Sequence, residues 1–432
     1  MSRLIVPRRT LRGVSIFCLI SGSGVALGQP TDSNTAPGPD DQTVVVTASR
    51  VPESLDNTLW STTVITRADI EARQASSVQE LLGGVAGIDV ANNGGLGKLS
   101  SVFIRGAESD HTLLLVDGVR VASATAGTAA IEFIPVDQIE RIEIVRGPRS
   151  ALYGTDAIGG VIQIFTRRAP QNGLSLDAEA NGGNHDTRSL GTHLTARGEH
   201  AWVSIGAESF DTNGFNSCAS AAEGAGACFV DEPDSDGFRN NSGSLSAGYA
   251  FNNQWSAELQ SLIAEGRTEY DGSAFSGNQE DFAERVLALS LDGKLAGGWH
   301  VRAALGRNQD HQDYFLNGQR LVVFGAPASA LDTDRDTASV QLDGKINQVL
   351  RLITGVEYQQ DEVSGDTEYD IDSRTTKGVF GELHGDWNAW SALAGARYED
   401  NEQFGSHVTD NVGLGRALND RLRLTATWGT AF

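Results

Sequence analysis

From Leu174 to its last residue the chain alternates apolar and polar side chains with a period of two. Trp255, Ala257, Leu259 and Ile263 are interleaved with Gln254, Ser256, Glu258 and Gln260; Leu287, Leu289 and Leu291 with Ala288, Ser290 and Asp292. Trp299, Val301, Ala303 and Leu305 alternate with His300, Arg302 and Ala304, and Leu422, Leu424 and Trp428 with Arg421, Arg423 and Thr427. Successive side chains of a strand point to opposite faces, so each segment has one apolar face and one polar face. A soluble sandwich packs its apolar faces inward against each other. A transmembrane barrel turns them out to lipid and keeps a wet interior. The connections decide between the two. Asn252-Asn253, Leu295 to Gly298, Ile346-Asn347 and Asn419-Asp420 read as tight turns. Asp211 to Asn240, Arg267 to Glu280, Asp313 to Ala330 and Val363 to Ser373 read as long polar loops. Short turns at one rim and long loops at the other are the layout of an outer-membrane barrel. Phe251, Trp255 and Trp299 border the short turns, where an interfacial aromatic girdle belongs.

Averages conceal this pattern. Hydrophobic residues make up 40% of the 432 residues and the mean hydropathy is -0.23, values typical of a soluble chain, because a barrel strand is only half apolar. The 50 glycines and 10 prolines suit strands and tight turns better than helices. A net charge of -23 excludes nucleic acid as a partner, since binding phosphate needs a basic face. Residues 1–28 read as a secretory signal peptide: Arg3, Arg8, Arg9 and Arg12 precede the apolar run Val14 to Ile20, and Ala26-Leu27-Gly28 offers a cleavage site. No other segment is long and apolar enough for a spanning helix, so membrane residence would require a barrel. Cys18 leaves with the signal peptide, while Cys218 and Cys228 lie close together in a polar loop, suited to a disulfide in an oxidising compartment. No nucleophile elbow, phosphate loop or His-rich metal motif is present, so the chain does not read as an enzyme.

Residues 29–50 begin as a Pro-, Asp-, Ser- and Thr-rich leader with the composition of a disordered segment. It ends in Thr43-Val44-Val45-Val46-Thr47-Ala48, a β-prone hexapeptide that needs something to pair with. Residues 51–170 read as a compact mixed α/β domain. Thr66 caps a short helix reaching Arg73, and Ser77-Val78-Gln79-Glu80 is a capping box leading into Leu81 and Leu82. Strand-like runs follow at Ser101 to Arg105, Thr112 to Val116, Ile139 to Val145 and Val161 to Thr166, with glycine-rich loops at Asn93 to Gly97 and Gly154 to Gly160. Residues 171–432 supply about thirteen barrel strands. Bacterial single-chain barrels have an even number, so the sequence predicts a C-terminally truncated barrel with Phe432 at the outer rim. In the first long loop Glu232, Asp234 and Asp236 stand at alternate positions before Gly237. Three carboxylates so close repel unless a cation gathers them, and such hard ligands suit calcium. The EF-hand pattern fails, because its twelfth position falls on Gly243.

Several motifs together carry a resemblance. Gln42 to Arg50 (QTVVVTASR), Asn93-Gly94-Gly95 through Leu99-Ser100-Ser101, Phe103-Ile104-Arg105-Gly106, Asp117-Gly118-Val119-Arg120 and Arg146 to Gly160 (RGPRSALYGTDAIGG) resemble the TonB-dependent receptors, most closely their cobalamin-receptor branch. The resemblance implies a mixed α/β plug domain inside a transmembrane antiparallel β-barrel of about 22 strands, of which this chain would supply about thirteen. It implies a monomeric outer-membrane protein that contacts outer-membrane lipid and takes up cobalamin or another metal chelate actively. Thr43 to Ala48 would be the TonB box, recruiting the energy-transducing TonB protein by strand addition. A ferric siderophore or haem receptor is the alternative of the same class; a passive porin or adhesin is the alternative of another class. The resemblance also extends the calcium ligands from Glu232, Asp234 and Asp236 to Tyr270, Asp271 and Asp281, although Asn216 stands where the family has another Asp. It places Leu99, Ser101, Glu108 and Ala126 against the substrate, and Glu108 departs from the amide expected there.

Overall fold

A computed structural model describes residues 45–46, 50–124, 127–169, 172–217, 232–419 and 422–432. The signal peptide, the leader, Thr43, Val44, Thr47, Ala48, Ala126, Cys218 and Cys228 lie outside the described residues.

The N-terminal part contains strands β1 (Val45–Val46), β2 (Glu53–Ser54), β3 (Ser61–Thr66), β4 (Ile88–Asn92), β5 (Ser100–Ile104), β6 (Thr112–Val116), β7 (Val119–Arg120), β8 (Ile139–Arg146) and β9 (Gly160–Thr166). Its helices are α1 (Arg67–Arg73), α2 (Val78–Leu82) and α3 (Ser150–Tyr153). A five-stranded sheet runs in the order β3-β8-β9-β6-β7, antiparallel except where β6 lies parallel to β9. Ile65, Val116, Ile142, Ile144, Ile162 and Ile164 form a core with Ile70 of α1 and Val78, Leu81 and Leu82 of α2. Thr66 and Ser77 are the N-caps the sequence predicts, but only one of the two capping boxes is complete. Thr66 accepts from the Asp69 N–H while Asp69 accepts from the Thr66 N–H, a complete capping box. At α2, Ser77 accepts from the Glu80 N–H, but the Glu80 carboxylate turns to the N–H of Ser76 instead, at 2.7 Å.

The C-terminal part consists of β10 (Gly173–Gly182), β11 (Arg188–Arg197), β12 (Ala201–Thr212), β13 (Phe238–Ala250), β14 (Trp255–Ser273), β15 (Gly277–Lys294), β16 (His300–Leu316), the short β17 (Gln319–Arg320), β18 (Val322–Val323) and β19 (Ala326–Pro327), then β20 (Ala330–Lys345), β21 (Leu350–Gly365), β22 (Ser373–Trp387), β23 (Trp390–Asn401), β24 (Gly405–Asn419) and β25 (Leu422–Gly429). Thirteen of these form one antiparallel path from β10 to β25, with β17 added beside β16. The two ends of the path do not pair, so the sheet is an open wall. The wall curves around the N-terminal domain, because strands as far apart as β12, through Ser204 to the Arg167 carbonyl, and β25, through Arg423 to the Asp56 carbonyl, both bond to it.

Alternation resolves as a lipid face and a lumen face. Leu287, Leu289 and Leu291 are exposed on the outside, while Ala288 and Ser290 between them are buried against the interior. Of the aromatics expected to form a girdle, Phe251 is exposed beside a short turn while Trp255 and Trp299 are half-buried; Tyr249 and Trp387 are exposed beside the short turns as well. One expectation is corrected. Arg267 to Glu280 is not a loop: β14 and β15 run 19 and 18 residues and are closed by residues 274–276. About ten residues suffice to cross a bilayer, so this hairpin projects well beyond it. Its ladder pairs the backbone on the way out, with Arg267 opposite Asp281 in register.

Candidate functional site

The outer rim of the wall meets the tip of the N-terminal domain. The β4–β5 hairpin ends in the loop Asn93 to Leu99, where Gly94, Gly95 and Gly97 all have positive φ. Gly97 is required twice over: its φ is +70°, and a Cβ there would run into the Phe238 ring. Asn92 ties the loop together, its carboxamide oxygen accepting from the N–H groups of Gly94 and Gly95 at 2.9 and 2.6 Å. Leu99 projects from this tip 59% exposed, and Ser101 pairs with Ala91 inside the hairpin. Glu108 is exposed on the next segment, which folds back so that Ser109 accepts from the Val102 N–H at 3.1 Å. Glu108, Asp110 and His111 bring ligand atoms within 4.8 Å of one another.

Above the tip, the structure divides the predicted calcium ligands. Glu232, Asp234 and Asp271 converge, with carboxylate oxygens within 4.8 Å of one another. The Glu232 N–H donates to Asp271 at 3.0 Å, and Asn216 donates to the Glu232 carbonyl at 2.6 Å, bracing the turn where the family pattern has an acid. Asp236 is not in the cluster; it is buried and accepts from the Ser217 N–H at 2.7 Å. Tyr270 donates to the Ser276 carbonyl at 3.0 Å. Asp281 is held by the Arg267 guanidinium, one contact at 2.7 Å. Among the described residues no Lys or Arg head pairs with Glu232 or Asp234. The donor set therefore fits a hard cation: three carboxylates gathered from two hairpins.

Sequence reasoning missed Lys98, the one cation of the tip loop. Its ammonium is buried and donates to the carbonyls of Leu96, Asp236 and Gly237 at 3.0, 3.3 and 3.3 Å and to the Thr268 hydroxyl at 3.1 Å. Burial brings its pKa down to about 8, against the pull of Asp236, Glu269 and Glu280. The available signal was a single lysine directly after the glycine-rich run Asn93 to Gly97. On the same side Phe133 stacks on Phe282 at 3.7 Å.

At the opposite end, β1 and β2 form a two-residue antiparallel ladder, Val45 opposite Ser54 and Val46 opposite Glu53. Just after the hexapeptide, Arg50 pairs with Glu357 on the wall. Glu357 also accepts from Arg397 at 2.6 Å, and Arg397 from its other side holds Glu399. The Arg50 guanidinium lies 4.6 Å above the Tyr153 ring. Deeper in, Arg149 is fully buried with Glu382 at 3.7 Å and Trp60 under its guanidinium at 4.5 Å. The pairing of Arg50 with Glu357 had no local sequence signal, because the two residues are hundreds of positions apart.

Comparison with known proteins accounts for this arrangement. Residues 54–161 match the TonB-dependent Receptor Plug Domain, and residues 229–432 match the TonB dependent receptor-like beta-barrel. Among sequence relatives, the vitamin B12 transporter BtuB of Vibrio cholerae serotype O1 is 29% identical over 412 residues, covering 90% of this chain and 62% of that one. The BtuB of Vibrio vulnificus is 32% identical over 398 residues, with the same coverage. The chain thus spans about three fifths of the length of these relatives. Among solved structures, the ferric enterobactin receptor of Pseudomonas aeruginosa superposes with a TM-score of 0.71 at 17% identity, over 86% of this chain and 61% of that one. The ferric yersiniabactin uptake receptor of Yersinia pestis gives 0.63 at 15%, over 86% and 64%; both likenesses concern the fold. With a plug match followed by a barrel match, and a plug enclosed by an outward-apolar wall, the chain belongs to the TonB-dependent receptors of the outer membrane.

Proposed function

We propose that this chain serves TonB-dependent active uptake of a large metal chelate, with cobalamin as the substrate. The observation that carries the reading is a folded plug occupying the lumen. A passive porin or an adhesin needs neither a plug nor a β-prone peptide at its foot. Cobalamin is favoured over a ferric siderophore because the sequence relatives, at 29–32% identity, are vitamin B12 transporters. The siderophore receptors share the fold at 15–17% identity. Leu99 at the exposed tip and Glu108, exposed on the segment after β5, are the side chains we assign to the chelate, since binding residues concentrate on loops positioned by a rigid scaffold.

TonB is the proposed energy partner. Among the described residues the β1–β2 ladder is two residues long, a pairing that can be exchanged for a strand added to another sheet. Glu232, Asp234 and Asp271 are the proposed calcium ligands, and the ion would supply the charge that lets the two outer hairpins close on each other. Calcium titrated into the folded protein gives a saturable heat that Asp234→Asn abolishes; no heat with the unaltered protein removes the ion from the reading. Competition decides the substrate. Unlabelled cobalamin displaces labelled cobalamin from membranes carrying the protein, and ferric chelates do not; displacement by a ferric chelate alone would make it a siderophore receptor.

A further inference from the structure

Lys98 joins two parts of the molecule that lie far apart in the chain. It belongs to the plug's tip loop, yet three of its hydrogen bonds go to the outer hairpins: the carbonyls of Asp236 and Gly237 and the hydroxyl of Thr268. A second link runs beside it. The Ser217 hydroxyl donates to the Gly94 carbonyl at 2.8 Å while the Ser217 N–H donates to Asp236. Both links meet the short turn that follows Glu232 and Asp234 in sequence. Thr268 likewise precedes Asp271 by three residues on β14. The groups that hold Lys98 therefore sit on the same two segments that present the converging carboxylates.

We infer that Lys98 is a positioning residue that links cation binding in the outer hairpins to the order of the plug's tip loop. The inference rests on the calcium reading of Glu232, Asp234 and Asp271. Drawing those carboxylates together fixes the turn from Pro233 to Gly237, which fixes the two carbonyls that grip the ammonium, which fixes Asn93 to Leu99. Such a linkage is reciprocal by thermodynamic necessity: a tip loop held in place by a bound chelate tightens the cation site in turn. An ammonium suits the task, with three donors on a compact head that several carbonyls can share.

Amide hydrogen exchange on the full chain, with and without calcium, tests the linkage in the unaltered protein, Lys98→Met and Lys98→Arg. Calcium is expected to protect residues 232–237 in all three proteins. It is expected to protect 93–99 in the unaltered protein, not in Lys98→Met, and again in Lys98→Arg, which restores donors. A merely structural lysine would alter exchange equally with and without calcium, and that result overturns the inference. So does protection of 93–99 by calcium in Lys98→Met. If calcium protects 232–237 but never 93–99, the ion site stands and the linkage alone fails. If calcium protects neither segment in the unaltered protein, the calcium reading fails and the linkage with it.

Discussion

At the scale of single residues, Glu132 is the plug group whose position has the clearest pH consequence. It is buried in the turn Ile131–Phe133, and burial raises its pKa to about 8, with Glu280 and Asp310 adding to the shift. An unfolded glutamate titrates near its ordinary value of about 4.3. Between these values the folded protein retains a proton that the unfolded chain has released. Stability therefore falls as pH rises through this window and levels off above it, by at most about 1.4 kcal/mol per pH unit. The melting temperature of the plug is expected to drop between about pH 5 and pH 8.5, and Glu132→Gln, which cannot ionise, flattens that drop. Equal slopes in the two proteins would assign the pH dependence elsewhere. Gly97 makes the complementary steric case. Gly97→Ala places a methyl group against the Phe238 ring in a left-handed backbone conformation, and overpacking of that kind costs about 1–3 kcal/mol. A denaturant midpoint unchanged by the substitution would mean that the tip loop does not pack on β13.

At the scale of elements, the hexapeptide is the piece whose conformation bears on coupling. Its described residues already form a strand, so its recruitment by TonB would exchange one edge pairing for another. Proline at Val45 removes a backbone donor and fixes φ, which is incompatible with a central ladder position. Val45→Pro is expected to abolish uptake while cobalamin still binds at the cell surface; undiminished uptake separates the hexapeptide from energy coupling. Elements of this kind were legible in sequence to different degrees. The barrel strands were readable because alternation is local and repeated, as in Leu287, Leu289 and Leu291. The helix caps were readable because Thr66 and Ser77 act on residues three positions away. β3 and β4 were not: Ser61–Thr66 is too polar to signal a strand, and its pairing with β8 is set across the fold. The β14–β15 hairpin was misread because its outer half, Glu269 to Glu280, is as polar as a loop. The site suffered likewise. Spacing suggested that Asp236 acts with Glu232, and the family pattern added Asp281. One is turned to Ser217 and the other is neutralised by Arg267, contacts that only the folded register reveals.

At the scale of the whole molecule, the plug meets the wall through shared apolar clusters, with Leu262, Val286, Ile353, Phe380 and Leu393 of the wall packed against it, and through polar contacts. Ser244 donates to Gln138, and Asn240 to the Phe133 carbonyl at 2.9 Å. Gln260 donates to Asp117 at 3.1 Å, Thr333 accepts from the Ala124 N–H at 3.1 Å, and Gln341 donates to the Arg50 carbonyl at 3.2 Å. Water can replace the neutral partners among these polar groups at a small net cost, about 1 kcal/mol per bond, whereas the apolar clusters must be re-exposed when the plug is remodelled. Charged contacts are stronger; Lys98 makes them at the tip, and at the foot Glu357 lies between Arg50 and Arg397. Force applied through the hexapeptide reaches Arg50 before the rest of the plug. Glu357→Gln removes the charge that both guanidiniums share while keeping the side chain's shape. Because Arg50 and Glu357 are each about one fifth exposed, the expected loss is on the order of 1–3 kcal/mol, below that of a fully buried pair. The loss should appear as faster amide exchange and earlier proteolysis around Arg50, while the wall's own denaturation midpoint stays in place. If exchange near Arg50 is unchanged, the foot of the plug is held by the hydrogen bond from Gln341 and the aromatic rings of Tyr153 and Phe380, and the ion pair contributes nothing to retention.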